Sequence, residues 1–231
     1  MPLPTAISTL ERWSTAPSID TLRSLYDSSA HHWHENLTRL GQLRDYQLLF
    51  ENQAVRPYLG QLDQSSHILD GGVGTGAFSL ALLDHINQPA RVSGVDISSS
   101  MLVHAQQHLK HRCTTLDLRR GDIRGLPFAD DTFDAVIFAH VVEHLAAPIA
   151  ALREMVRVLK PGAPLLGSVT RQGLGQILMS MRWHHRGYTY HQLEAFLQAA
   201  GLETVRSFGY GTGWSKRMCI AAIGVKSRSA P

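Results

Sequence analysis

The stretch Ile68-Leu69-Asp70-Gly71-Gly72-Val73-Gly74-Thr75-Gly76 constrains this chain most. It reads as a short buried strand, an acid, and then a glycine turn that opens a helix. Glycines let the backbone come close to a ligand, and the first turn of the helix offers unpaired N–H groups. A second acid, Asp96, closes the next predicted strand, Val92-Ser93-Gly94-Val95-Asp96. An acid there is placed to bind a ribose. The two features together describe a pocket for an adenosine-bearing ligand, so an enzyme is the leading reading.

Two such ligands compete. Gly72, Gly74 and Ala77 satisfy the Gly-x-Gly-x-x-Gly/Ala spacing of nicotinamide folds. Asp70, two residues before Gly72, argues the other way. A carboxylate at that lip repels a pyrophosphate and suits a cationic ligand. S-adenosylmethionine carries an ammonium and a sulfonium and has no phosphate.

The remaining motifs resemble those of class I S-adenosylmethionine-dependent methyltransferases. Asp70-x-Gly72-x-Gly74-x-Gly76 is similar to the first family motif, and Gly94-Val95-Asp96-Ile97-Ser98 with Ser100-Met101-Leu102 to the second. Gly121-Asp122-Ile123-Arg124-Gly125-Leu126-Pro127-Phe128 looks like the loop around the adenine. Phe133-Asp134-Ala135-Val136-Ile137 and Val141-Val142-Glu143-His144-Leu145 look like the fourth strand and the helix start after it. Arg157-Val158-Leu159-Lys160-Pro161-Gly162 resembles the turn before the fifth strand. The likeness runs from about Ser66 to Thr170, and its nearest look is the ubiquinone/menaquinone-type group.

Composition sets outer bounds. The chain has 231 residues, 44% hydrophobic and 18% charged, enough for one α/β domain with a buried core. Its net charge is +3, with no Lys/Arg block to track a nucleic-acid backbone. Cys113 and Cys219 show no metal spacing and read as reduced, packed thiols of a cytoplasmic enzyme. So sparse a cysteine count also argues against arsenic methylation. Neither a signal peptide in Met1 to Ser18 nor a membrane-spanning run is expected. The thirteen histidines, clustered at His31-His32, His34 and His184-His185, lack HExxH spacing and read as solvent-exposed, with no metal site.

Hydrophobic periodicity places two or three helices in residues 1–62, with Pro57 near the end of the last, as a cap over the ligand mouth. Residues 63–231 then form the binding domain, with a lid at 171–190. Strands are predicted at about 66–70, 90–96, 113–121, 133–140, 163–170, 203–210 and 218–226, alternating with helices. The last two read as a hairpin through Gly211-Thr212-Gly213. The expected fold is α/β: a Rossmann-like, doubly wound seven-stranded sheet, mostly parallel with one antiparallel strand, plus the N-terminal helical cap.

Asp70, Asp96, Asp122 and His140 all fall at predicted strand ends and so point to one crevice. The resemblance implies roles for them with S-adenosylmethionine as cofactor. Asp70 serves the methionine ammonium, directly or through water. Gly71, Gly72, Gly74 and Gly76 shape the turn, and Asp96 accepts from the ribose hydroxyls. Ile97 and Met101 pack on the adenine, Asp122 accepts from its amino group, and Ile123 offers a backbone N–H. Ala139 and His140 complete the cofactor wall. Structural alternatives exist: Asp96 as a helix cap, Asp122 as a turn residue, Met101 as ordinary core.

Methyl transfer needs a general base only when the nucleophile is protonated. His140 and His144 are the candidates, and Tyr26 could close over the cofactor or acceptor, with Trp33 packing on its helix. Glu143 reads as a helix-start or surface residue. Leu174 to Tyr190, with Met179, Met181, Arg182, Trp183, His184, His185, Arg186 and Tyr188, suits either a planar or anionic acceptor or an exposed lid. Ala139 stands where some amino methyltransferases place Asn before Pro-Pro-Tyr/Phe, and the absence of that motif argues against adenine or glutamine methylation. The expected reaction is in-line methyl transfer to an O, N, S or C atom of a small molecule, without nucleic acid or stable membrane insertion. A non-methylating S-adenosylmethionine-binding protein is the second class and a nicotinamide oxidoreductase the third.

Overall fold

The computed structural model describes residues 16–174, 176–177, 180, 185–213 and 215–228. Met179 and Met181 to His184 of the expected lid lie outside the described residues.

Among the described residues, three helices precede the sheet. The Ser18 side chain accepts from the Thr21 N–H and starts α1, Ile19–Arg39. Gly41, at φ 74°, turns the chain into α2, Gln42–Phe50. Pro57 stands in the first turn of α3, Arg56–Leu59, not near its end, because that position has no N–H partner to lose. These helices share an apolar cluster with the sheet: Leu49, Phe50 and Leu59 pack with Ile68, Leu82, Ala135 and Leu166. Phe78 meets the rings of both Tyr46 and Phe50, at centroid distances of 4.9 and 5.0 Å.

Strands and helices then alternate. β1, His67–Gly71, leads through the glycine turn into α4, Ala77–Ile86. β2, Arg91–Asp96, leads to α5, Ser99–Leu109, whose cap is Ser98. β3 spans Thr115–Arg120 and β4 Ala135–Ala139. A single 3₁₀ turn, Val142–His144, precedes α6, Pro148–Val158. β5 is Pro164–Thr170 and α7 Tyr190–Ala199, opened by a Thr189/Gln192 capping box. β6, Leu202–Gly209, the short α8, Ser215–Met218, and β7, Cys219–Lys226, end the described chain.

The sheet order is β3-β2-β1-β4-β5-β7-β6. β7 runs antiparallel to both of its neighbours and the other pairs are parallel. All seven residues of β5 are buried, as a strand covered on both faces requires. β3 pairs on one side only, so its residues are half-buried or exposed and its sequence alternates poorly. The crevice falls where β1 is flanked by β2 and β4 and the strand order reverses.

Two apolar layers cover the sheet. One joins α6 and α7 through Leu152, Met155, Leu193 and Phe196, and the other joins α2, α4 and α5. Two polar anchors fix the N-terminal helices in place. The Asp27 carboxylate accepts from Ser98 Oγ at 2.5 Å and from the Ser100 N–H at 3.2 Å, tying α1 to the start of α5. The buried Asp45 carboxylate accepts from the Thr212 N–H at 2.8 Å and from Thr212 Oγ1 at 3.1 Å, tying α2 to the turn after β6.

Candidate functional site

A cavity of about 630 Å³ opens between α1, α2 and the carboxyl ends of the strands. At one end its wall is the glycine turn. The N–H groups of Gly72 and Val73 donate to the Val95 carbonyl at 2.8 and 3.1 Å, which holds the turn against β2. Gly72 has φ 81°, and a Cβ there would meet the Val141 side chain at 2.6 Å. Gly74 has φ 51° and open space beside it. Both line the cavity.

Gly71 and Gly76 do not line it, contrary to expectation. A Cβ on Gly71 would meet Met155 of α6, and one on Gly76 would meet Leu109 of α5, each at 2.8 Å. A side chain on either glycine would press on a neighbouring helix. Asp70 is also set behind the wall. Ser79 Oγ donates to its Oδ2 at 2.6 Å, while its buried Oδ1 has no partner. Burial pushes this carboxyl up to about 7, against the pull of Ser79.

Asp96 faces the cavity and is no helix cap, since Ser98 fills that place. It accepts from the Gly74 N–H at 2.8 Å and from the Ser98 N–H at 2.9 Å. Burial raises it to about 6 against those two bonds. Ile97, Met101, Ile123 and Ala139 line the same wall. Asp122 lines it too, but its carboxylate is forked by the Arg124 guanidinium at 2.6–3.1 Å and also accepts from the Arg124 N–H. Burial would raise the Asp122 carboxyl; Arg124 holds it below the usual carboxylate range.

The other end of the cavity is made of side chains. His140 leaves β4 with φ 55°, and its Nδ1 lies 3.0 Å from Glu143 Oε1. The Gln42 side-chain amide stands 3.1 Å from its Nε2. Glu143 is neither a surface nor a helix-start residue: it is 1% exposed. Its Oε1 also accepts from the Thr170 N–H at 3.1 Å and from Thr170 Oγ1 at 2.8 Å, while Oε2 is buried with no partner. Burial works against charge on His140, yet the Glu143 carboxylate overrides it and raises the imidazole to about 10. Burial likewise opposes charge on Glu143, and His140 holds it down to about 2. The Glu143 carboxylate therefore favours the protonated imidazole over the neutral one.

Tyr26 and His144 meet across the cavity, with the phenol oxygen 2.7 Å from His144 Nε2. Burial raises the Tyr26 phenol and keeps it neutral. His185 also lines the cavity; burial lowers it to about 4, and its Nε2 has no partner among the described residues. The Trp33 ring packs edge-on against Tyr26 at 5.5 Å. Tyr188 turns away from the cavity and packs on Phe196 at 5.7 Å.

The histidines are less exposed than expected. His144 and His185 are buried, and the half-buried His34 packs against His108 with ring centroids 4.2 Å apart and the planes tilted by 42°. No group of three or more His, Cys, Asp or Glu among the described residues is arranged to hold a metal ion. Cys219 is buried, Cys113 half-buried, and both are free. No helix among the described residues is long and apolar enough to cross a membrane.

The residues present fit S-adenosylmethionine. Asp70 Oδ1 is a buried carboxylate oxygen without a partner, suited to a cationic ligand, and Asp96 turns its carboxylate to the cavity beside a glycine backbone. Sheet order and cavity together resemble those of class I S-adenosylmethionine-dependent methyltransferases. Residues 69–166 match the family model described as a methyltransferase domain. A demethylmenaquinone methyltransferase of Lactiplantibacillus plantarum is 40% identical over 113 residues, 48% of this chain and 48% of that protein. The match thus spans about half the length of the curated relative. Magnesium protoporphyrin IX methyltransferase of Synechocystis PCC 6803, solved with S-adenosylhomocysteine, superposes with a TM-score of 0.70 at 17% identity, covering 91% of this chain and 100% of that one. The cyclase SpnF superposes with a TM-score of 0.58 at 22% identity, covering 73% and 77%.

Proposed function

We propose that this chain transfers the methyl group of S-adenosylmethionine to a small-molecule acceptor. One observation carries the reading: the Asp96 carboxylate, bonded to the Gly74 N–H, faces a cavity whose far end is lined by polar side chains. Bound S-adenosylmethionine supplies an electrophilic methyl group on a sulfonium. Asp96 accepts from the ribose, Gly72 and Gly74 keep the wall thin, and Ile97, Met101 and Ile123 flank the adenine. Asp122 shares its carboxylate between Arg124 and the adenine amino group. Asp70 places negative charge behind the turn for the ammonium. The N-terminal helices, as a cap over residues 63–231, exclude water and hold the acceptor against the cofactor, with Tyr26 and His144 beside it.

Two free cysteines, one of them buried, support a reducing compartment such as the cytoplasm. The acceptor is a dissolved small molecule rather than nucleic acid, since no Lys/Arg block is present. Calorimetric titration with S-adenosylmethionine, S-adenosylhomocysteine and NADH tests the reading. Micromolar binding of the first two, lost in Asp96→Ala, is expected. Binding of NADH alone would overturn it. The likeness to SpnF favours a second reading, a non-methylating use of the same pocket. Release of S-adenosylhomocysteine with a methylated product separates the two.

A further inference from the structure

The acceptor end of the cavity contains two buried polar atoms with nothing to bond. Glu143 Oε2 and His185 Nε2 both lack partners among the described residues, and both side chains line the cavity. Buried polar groups are normally paired, so two open valences facing one space call for a ligand. The other valences there are already filled. Glu143 Oε1 takes three donors, from His140 Nδ1, the Thr170 N–H and Thr170 Oγ1. Tyr26 and His144 bond each other. His140 Nε2 faces Gln42, with Cys219 Sγ at 3.9 Å.

What is left open is a carboxylate oxygen, which accepts, and one imidazole nitrogen, which accepts when the ring proton sits on Nδ1. A ligand that donates from one group to both matches that tautomer. A primary amine does so and still has its lone pair. We propose that Glu143 Oε2 and His185 Nε2 form the subsite for the methyl acceptor, and that this acceptor is a small molecule bearing a primary amine. This deepens, and rests on, the methyl-transfer reading above.

Charge selects the amine over other nucleophiles. The bound ammonium first gives one proton to solvent, and the lone pair so freed forms the N–C bond while the C–S bond breaks, its electron pair staying on sulfur. The cofactor leaves as a neutral thioether and the nitrogen becomes a methylated ammonium, which then loses a proton to solvent. Positive charge therefore grows beside Glu143 during the reaction, where a carboxylate stabilises the transition state. A phenolate, carboxylate or thiolate acceptor would instead face like charge, which disfavours its reactive form.

The test uses three probes of matched shape, phenethylamine, 2-phenylethanol and phenylacetate, titrated by calorimetry into the chain saturated with S-adenosylhomocysteine. Phenethylamine is expected to bind, the alcohol more weakly and phenylacetate not at all. Glu143→Gln is expected to weaken the amine by roughly 10- to 100-fold, the loss of a charged hydrogen bond, and His185→Phe by less. Both variants should bind S-adenosylhomocysteine as the unaltered chain does. With S-adenosylmethionine, mass spectrometry should find N-methylphenethylamine. The subsite is overturned if the amine binds no better than the alcohol, if Glu143→Gln leaves it unchanged, or if no probe binds while S-adenosylhomocysteine does. Failure of the unaltered chain to bind S-adenosylhomocysteine sinks the methyl-transfer reading instead. Should Glu143→Gln not fold, probe selectivity in the unaltered chain and in His185→Phe still decides.

Discussion

At the glycine-turn end of the cavity the wall is backbone: Gly72 and Val73 are held on the Val95 carbonyl, and the Gly74 N–H is held by Asp96. At the His140 end it is side chains from distant parts of the chain: Gln42, His140, Glu143, Thr170 and His185. The first end is rigid, because each bond is made within or between adjacent strand ends. The second depends on charge, because one buried carboxylate organises its neighbours. Substitutions should therefore act differently at the two ends, altering shape at one and protonation at the other.

The largest contrast is expected from Glu143→Gln. His140 is held at about 10 by the Glu143 carboxylate. Without that charge, burial opposes protonation with Cys219 acting the other way, and the imidazole should titrate well below about 10. NMR titration of His140 reads this directly, and a value that stays above 8 would break the comparison. The sign for stability follows from the raised value. The ion pair's contribution is full below about pH 6.5 on the histidine side and is lost as pH rises through about 10. In the variant this high-pH loss should vanish from thermal melts.

Next in size is the anchor between α2 and the turn after β6. Asp45→Ala should cost about 2–3 kcal/mol, because it removes a buried charged acceptor and strands the Thr212 N–H. Urea unfolding measures it, and a cost under about 0.5 kcal/mol would show that the anchor is idle.

Affinity for S-adenosylhomocysteine should fall as pH drops. Asp70 and Asp96 are raised to about 7 and about 6 by burial, and the ligand favours their ionised forms. Binding is then full above pH 7 and weakens as pH falls through 6, by up to roughly tenfold per pH unit for each group. The raised Asp70 value has the opposite consequence for the empty chain, whose stability falls as pH rises from about 4 through 7. Calorimetry from pH 5 to 8 sharpens the comparison, and a flat profile would remove Asp96 from ribose binding.

The smallest effect belongs to Asp27→Ala. It removes an acceptor for Ser98 Oγ and the Ser100 N–H and should cost about 1 kcal/mol, the scale of a helix cap. The same variant should raise the hydrogen-exchange rates of α1 more than those of β1. Equal rates would show that α1 does not depend on this contact.

The glycine turn and the acid at the end of β2 were readable from residues alone, since a tight strand-to-helix turn demands glycine and Asp96 closes an apolar strand pattern. The mostly parallel sheet followed from the βα alternation and its antiparallel strand from the final hairpin. Gly71 and Gly76 show the limit of that reading. Gly76 satisfies the spacing and Gly71 stands at a variable position of it, yet both also leave room for side chains of other helices, Leu109 and Met155. Glu143 shows a second limit. An acid beside a helix start usually faces water; this one is buried because His140, three residues earlier, and Thr170, on the next strand, meet it there. Its one sequence signal was an acid set within the apolar run Val141-Val142-Glu143-His144-Leu145. Asp27 and Asp45 gave none, since their partners lie 71 and 167 residues away in sequence.

The place of β7 has a consequence for the order in which the chain is made. β7 lies between β5 and β6, and β6 pairs with no other strand. A ribosome releases β5, which ends at Thr170, well before β7, which starts at Cys219, and β6 shortly before it. Until Cys219–Lys226 emerges, the seven buried residues of β5 have an open edge and β6 has no partner. Long-range pairing of this kind folds slowly and leaves intermediates prone to misassociation. Nascent chains arrested before residue 219 should thus hold a five-stranded parallel core with a sticky margin, which the last strand seals.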